Sequence, residues 1–190
     1  FNAAIAPPII NPEERRAAAA EHILVYLPFE DQQRVCATLQ NIPQYQFIQY
    51  APQLSDTSIG NVAQRKTSLH GFKHDRCSAR AVICNAGFEL ISECLHMGIP
   101  ALAKPVSGQA EQLGNAAALK QLKLASVMDE FTQHTIEQWL LNIPAQTPQH
   151  YPDVAEAICD WVLKGQWHDN EALVNQLWQE TGIQTAMPLL

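Results

Sequence analysis

Four apolar residues, Ala81-Val82-Ile83-Cys84, run directly into Asn85-Ala86-Gly87, and from residue 88 to 97 apolar side chains recur at helical spacing. A short uninterrupted apolar run is the pattern of a strand buried on both faces, as in a parallel sheet. The following residues are small or turn-prone, and Gly87 either takes a positive φ or lets a ligand approach where a Cβ would collide. Phe88, Leu90, Ile91, Cys94, Leu95 and Met97 then form one helical stripe, which Gly98-Ile99-Pro100 ends. Strand, tight turn and helix in immediate succession commit the chain to the α/β class.

The same alternation runs along the chain. Ile23-Leu24-Val25-Tyr26-Leu27 reads as a strand, and residues 31–40 as a helix with Val35, Cys36 and Leu39 inward. Residues 45–51 and 61–67 are expected to be strands, and residues 74–79 a short helix. Strands at 101–106 and 125–128 alternate with helices at 111–122 and 132–142, and two amphipathic helices, at 154–163 and 170–180, close the chain. Such alternation predicts a Rossmann-like parallel sheet flanked by helices, with right-handed crossovers and ligands at the carboxyl ends of the strands.

The strand–turn–helix unit has a chemistry of its own. Free N–H groups of the first helical turn, with the helix dipole behind them, make a phosphate site. Glu93 lies about 9 Å along the axis from Gly87 at 1.5 Å per residue, too far to clash with that anion and placed to accept hydrogen bonds from a neutral diol. A second loop, Ser107-Gly108-Gln109-Ala110, leads into a helix bearing Glu111 and Gln112 near its start, side chains able to bind hydroxyls.

With both loops in view, residues 81–118 resemble the donor-binding signature of GT-B glycosyltransferases, families 28 and 1 being the most similar. Both families carry a glycine, a glutamate six positions later, a proline-containing strand end, and an acid–amide or amide–amide pair three residues before an asparagine. Here these are Gly87, Glu93, Pro105, Glu111-Gln112 and Asn115. The resemblance implies that Asn85, Ala86, Gly87 and Phe88 meet a diphosphate, that Glu93 binds ribose hydroxyls, and that Glu111 and Gln112 hold the transferred sugar. For the base, Phe72 either stacks or exposes Gly71 and Phe72 backbone groups to uracil. Packing of Phe72 in the core is an equal reading.

Two positions depart from the pattern. Many relatives have Gly-Ser after the first strand, where this chain reads Leu27-Pro28-Phe29-Glu30-Asp31, and family 1 often has histidine where this chain has Asn85. An amide still donates to phosphate.

The resemblance implies one half of a GT-B fold: the donor-binding domain of an inverting, metal-independent transferase that uses a nucleotide-sugar, a UDP-sugar above all, and needs no cofactor. Residues 1–20 are expected to be an interdomain linker and lead-in, because Ala6-Pro7-Pro8-Ile9-Ile10-Asn11-Pro12 favours extended backbone. Residues 21–150 would form the donor domain, and residues 151–190 helices that pack on it or cross to an N-terminal acceptor-binding domain of the same protein. The chain begins at Phe1, and a fragment inactive alone is the expectation, with the catalytic base in the other half. Its alternatives are a UDP-sugar 2-epimerase-like enzyme, whose Ser-Gly-Gly and paired glutamates are not here, and a non-catalytic sugar-nucleotide-binding module.

Composition narrows the rest. A formal charge of −7 argues against a nucleic-acid surface, whereas 47% hydrophobic and 16% charged residues describe a packed domain. The five cysteines are scattered without a CxxC pair, and the histidines show no ligand spacing, so neither a disulfide framework nor a metal site is expected. Cys84 as a nucleophile with His70 or His74 as base is discounted, since an apolar strand cysteine is ordinarily a small core residue. No GxGxxG follows the first strand, against a dinucleotide dehydrogenase. A cytoplasmic location fits the cysteine usage, with peripheral contact to the inner face of the membrane left open.

Overall fold

In a computed structural model, residues 4–18, 20–165, 167 and 170–181 are described. Parts of the lead-in (1–3 and 19) and of the C-terminal region (166, 168–169 and 182–190) lie outside them. The elements in order are β1 His22–Tyr26, α1 Gln32–Gln40, β2 Gln46–Ala51, β3 Thr57–Ile59, β4 Val62–Lys66, α2 Leu69–Ser78, β5 Ala81–Asn85, α3 Phe88–Met97, β6 Ala101–Lys104, α4 Ala110–Leu122, β7 Ser126–Val127, α5 Gln133–Leu141, α6 Val154–Leu163 and α7 Asn170–Glu180. No helix among them is long and apolar enough to cross a membrane.

One seven-stranded sheet runs in the order β3-β4-β2-β1-β5-β6-β7. The chain begins in the middle at β1, winds outward through β2 to β4, then crosses back to β5 and winds the other way to β7. All pairings are parallel except β3 with β4. β1 and β5 are therefore neighbours whose following connections leave in opposite directions, which opens a crevice at their carboxyl ends.

Alternation along the strands sorts the core into two layers. Leu24, Val82, Cys84, Ala101 and Ala103 face the layer that contains Ile91, Cys94 and Leu95 of α3 and Ala116 and Leu119 of α4, with Phe72 and Cys77 of α2 packed against it. Ile23, Val25, Ile83 and Leu102 face the other layer, with Val35 and Leu39 of α1 and Ile136 and Leu140 of α5. Burial on both faces explains why β5 is buried at every position.

The expected strands and helices are present, with one addition. β3 was not anticipated. It forms a two-residue hairpin with β4, pairing Ile59 with Val62, and Gly60 takes φ 61° at the first turn position, as a type II′ turn requires. The sheet is thus parallel apart from this short edge. Helix α2 begins five residues earlier than expected, at Leu69.

The described residues of the lead-in form no helix or strand, yet they are docked. Ile10 is buried, Arg16 donates to the carbonyls of Gly98 (2.8 Å), Ala79 and Arg80, and His96 meets the Pro12 carbonyl at 3.2 Å.

Candidate functional site

Five connections leave the carboxyl edge of the sheet into helices, and their capping differs. α1, after β1, is capped by Asp31, whose carboxylate accepts from the amides of Gln33 and Arg34. α2, α3 and α4, which follow β4, β5 and β6, begin at Ser68, Gly87 and Gln109 with no side-chain cap. The helices α5 and α6 are again capped, by Thr132 and Asp153. Three helices at one edge thus keep their first-turn N–H groups open, the arrangement that receives anions and polar ligands.

The turn after β5 is tightly held. Ala86 N donates to the Lys104 carbonyl at 2.9 Å, and Asn85 Nδ2 donates to the same oxygen at 3.2 Å. The Ala86 carbonyl accepts from Asn115 Nδ2 at 3.0 Å. Asn85 Oδ1 is buried without a protein partner. Gly87 does not adopt a positive φ: its φ is −72° and ψ 152°, and no atom lies within 4 Å of where its Cβ would stand. The fold itself makes no demand for glycine there, which leaves close approach as the reading of that residue. Phe88, next to it, is exposed.

The second loop is fastened by the same helix. Gln112 is buried, and its Oε1 accepts from the Val106 amide at 3.1 Å. The side chain expected at the sugar thus has its oxygen bonded to the β6–α4 loop, and Nε2 is the end left to donate. Glu111 is exposed beside it. Asn115, present in the motif without an assigned task, pins the turn after β5.

Glu93 is not a bare carboxylate. Arg76 of α2, only 5% exposed, donates from Nη1 to Glu93 Oε2 and from Nη2 to Glu14 Oε2, and Lys73 reaches Glu14 Oε1 at 2.9 Å. Burial pushes the Glu93 carboxyl above its ordinary value, with the Arg76 guanidinium pulling the other way. The bond to Arg76 uses Oε2 and not Oε1.

At α2, the Phe72 ring packs edge-on against Tyr26 and Tyr50, with centroids 5.0 and 5.2 Å away. Its amide closes the first helical turn on the Ser68 carbonyl. The ring is thus a packing element, and the Gly71 amide remains in the open first turn. A cavity of about 400 Å³ lies beside it, lined by Ser55, Asp56, Lys66, Thr67 and Ser68. A further cavity of about 690 Å³ is lined by α6 and α7 and by no residue of the strand ends.

Cys84 is fully buried, and burial pushes its thiol up to about 12, which does not suit a nucleophile. Among the described residues no group of three His, Cys, Asp or Glu could hold a metal ion.

A family model described as Glycosyl transferase family 1 matches residues 2–144, three quarters of the chain. No curated protein matches. Among solved structures, the glycotransferase of kitacinnamycin is similar with a TM-score of 0.52 and 18% identity, over 66% of this chain and 35% of that one. The glycosyltransferase SnogD from Streptomyces nogalater is similar with a TM-score of 0.46 and 15% identity, over 71% of this chain and 37% of that one. The first likeness shows that the sheet and its helices are one Rossmann-like half of a GT-B fold. The chain spans a little over a third of the length of either structure.

Proposed function

Because this chain belongs to glycosyl transferase family 1, we propose that it is the donor-binding half of an inverting glycosyltransferase whose donor is a nucleotide-sugar, in the first instance a UDP-sugar. The observation that carries this reading is the uncapped start of α3 directly after β5, at the crevice between β1 and β5.

In this reading the diphosphate lies on the amides of Gly87 and Phe88, in the space that the missing Cβ leaves free. Asn85 and Ala86 hold that turn in place through the Lys104 carbonyl. Glu93 Oε1 accepts from the ribose hydroxyls. Gln112 Nε2 and the exposed Glu111 carboxylate meet hydroxyls of the sugar. The base enters beside the β4–α2 loop, where the cavity at Lys66–Ser68 and the Gly71 amide supply polar groups, with Phe72 packed behind them.

Chemistry follows from charge development. An acceptor hydroxyl attacks the anomeric carbon from the face opposite the diphosphate, the bond from that carbon to the diphosphate oxygen breaks, and a base takes the hydroxyl proton. Negative charge grows on the departing diphosphate, and fixed N–H dipoles stabilise it without reorganising at the moment of reaction. The residue that takes the proton is assigned to an acceptor-binding half.

Calorimetric titration of the 190-residue chain with UDP, GDP and dTDP tests the proposal. Selective binding of one nucleotide, lost in Glu93→Ala, is the expected result. Equal binding by wild type, Gly87→Asp and Glu93→Ala would remove the site from this edge of the sheet.

A further inference from the structure

The crevice between β1 and β5 contains a charge pair that the motif does not include. Lys104 ends β6, and its Nζ lies 2.6 Å from Oε1 of Glu30, in the loop between β1 and α1. Both side chains are largely shielded, at 13% and 25% exposure. Since β1 and β6 flank β5, the pair bridges the end of the strand that runs into the Gly87 turn. Lys104 is also in register with Asn85, and its carbonyl receives both bonds that hold that turn.

Two further facts give the pair meaning. The loops that follow β1, β5 and β6 hold no Lys or Arg, so the basic residue at their head is Lys104, the last of β6. Glu30 is also rigidly presented: its amide donates to the Leu27 carbonyl at 3.0 Å, and the buried Gln32 side chain donates to the carbonyls of both Leu27 and Glu30. Gln49 in turn donates to Gln32. A loop fixed from below by buried amides points a carboxylate at the Lys104 ammonium.

We propose that Lys104 is a ligand of the donor diphosphate and that Glu30 is its place-holder, a carboxylate that occupies the ammonium while the site is empty and gives it up when a diphosphate arrives. This rests on the nucleotide-sugar reading of the same edge. A shielded ammonium without a partner is costly, and Glu30 removes that cost in the empty site. A diphosphate brings more negative charge and more acceptor oxygens to the same ammonium, and also engages the amides of α3. Once the diphosphate is bound, the displaced carboxylate faces a like charge and opposes it, so Glu30 weakens the hold on the diphosphate and hastens its departure after transfer.

Titration of the chain with UDP, uridine and inorganic pyrophosphate, for wild type, Glu30→Gln, Lys104→Met and the double variant, tests this. Glu30→Gln is expected to bind UDP and pyrophosphate roughly tenfold more tightly, and Lys104→Met roughly tenfold or more weakly. Uridine affinity should be the same in all four, and the double variant should regain part of what Lys104→Met loses, because the opposing carboxylate is gone. UDP binding that is unchanged in both single variants would overturn the inference and leave the donor-site proposal standing. A parallel fall of uridine and UDP in Lys104→Met would make the pair a structural brace and overturn it as well. Lys104-dependent pyrophosphate binding without UDP binding would support the ion-pair inference and sink the uridine nucleotide instead. Binding of neither probe by any variant would overturn both.

Discussion

Arg76 and Glu93 share one hydrogen bond, from Nη1 to Oε2, and through it a nearly buried guanidinium orients a carboxylate whose other oxygen takes no part in that bond. The same guanidinium holds Glu14 of the lead-in. Replacing it with an apolar side chain leaves two shielded carboxylates facing one another with Lys73 alone in partial compensation. Arg76→Met is expected to cost about 3 kcal/mol of stability, read as a lower urea midpoint at unchanged slope. Arg76→Lys, which keeps the charge but not the two-armed geometry, should recover only part of it. In the donor-site reading, Arg76→Lys also narrows the preference for UDP over its 2′-deoxy analogue, since Oε1 of Glu93 is no longer aimed.

Gly87 gives a test that separates binding from folding. Its φ of −72° is open to any residue and its Cβ would meet nothing within 4 Å. Gly87→Ala should therefore change stability by less than about 1 kcal/mol, a weaker helix start offsetting a stiffer unfolded chain. UDP affinity should nevertheless fall roughly tenfold, the equivalent of about 1.4 kcal/mol. An alanine variant that binds UDP as wild type does would mean that no ligand approaches this backbone.

Asn115→Ala removes the donor from the Ala86 carbonyl. Leaving that buried acceptor unpaired is expected to cost about 1–3 kcal/mol, seen as a lower melting temperature. Because the turn before α3 loses its tether, nucleotide affinity should drop too, although Asn115 is given no contact with the ligand.

His96 makes stability pH-dependent. The Tyr151 amide donates to its Nδ1 at 3.2 Å, so the ring proton sits on Nε2, toward the Pro12 carbonyl. Burial lowers its pKa, outweighing the carbonyl contact. The folded value thus lies below the unfolded one, so this contribution is full above the unfolded pKa of about 6.5 and is lost as pH falls through the folded value. Denaturant midpoints should decline from pH 7 to pH 5, and His96→Gln should flatten that slope. An unchanged slope would assign the acid sensitivity to other groups.

How far the sequence carried the structure depended on range. α1 was legible, including Val35, Cys36 and Leu39 inward, because its apolar spacing and Asp31 lie within one segment. The strand–turn–helix at 81–97 was legible for the same reason. β3 was missed although Gly60-Asn61 is a recognised hairpin pair, since Thr57-Ser58-Ile59 is wholly exposed and carries no apolar run. The early start of α2 escaped because its first turn, with Leu69 exposed and Gly71 inside, has no apolar period. The ion pairs were beyond reach: Glu30 and Lys104 are 74 positions apart and meet only because β5 lies between their strands. Gln112 was read from the motif as a sugar ligand and Asn115 as a motif position without a task; the structure adds that Gln112 Oε1 accepts from, and Asn115 Nδ2 donates to, distant backbone, a task that leaves no mark on local sequence.

Gln112 and Asn115 sit three residues apart on α4, about 4.5 Å along its axis, and each fastens a different loop. The helix therefore works as a jig. It sets the spacing between the turn proposed for the diphosphate and the loop proposed for the sugar before anything binds. A segment that carried residues 85–116 into a related sheet would bring that spacing with it as a unit, and an insertion in either loop alone would have to break one of the two amide ties.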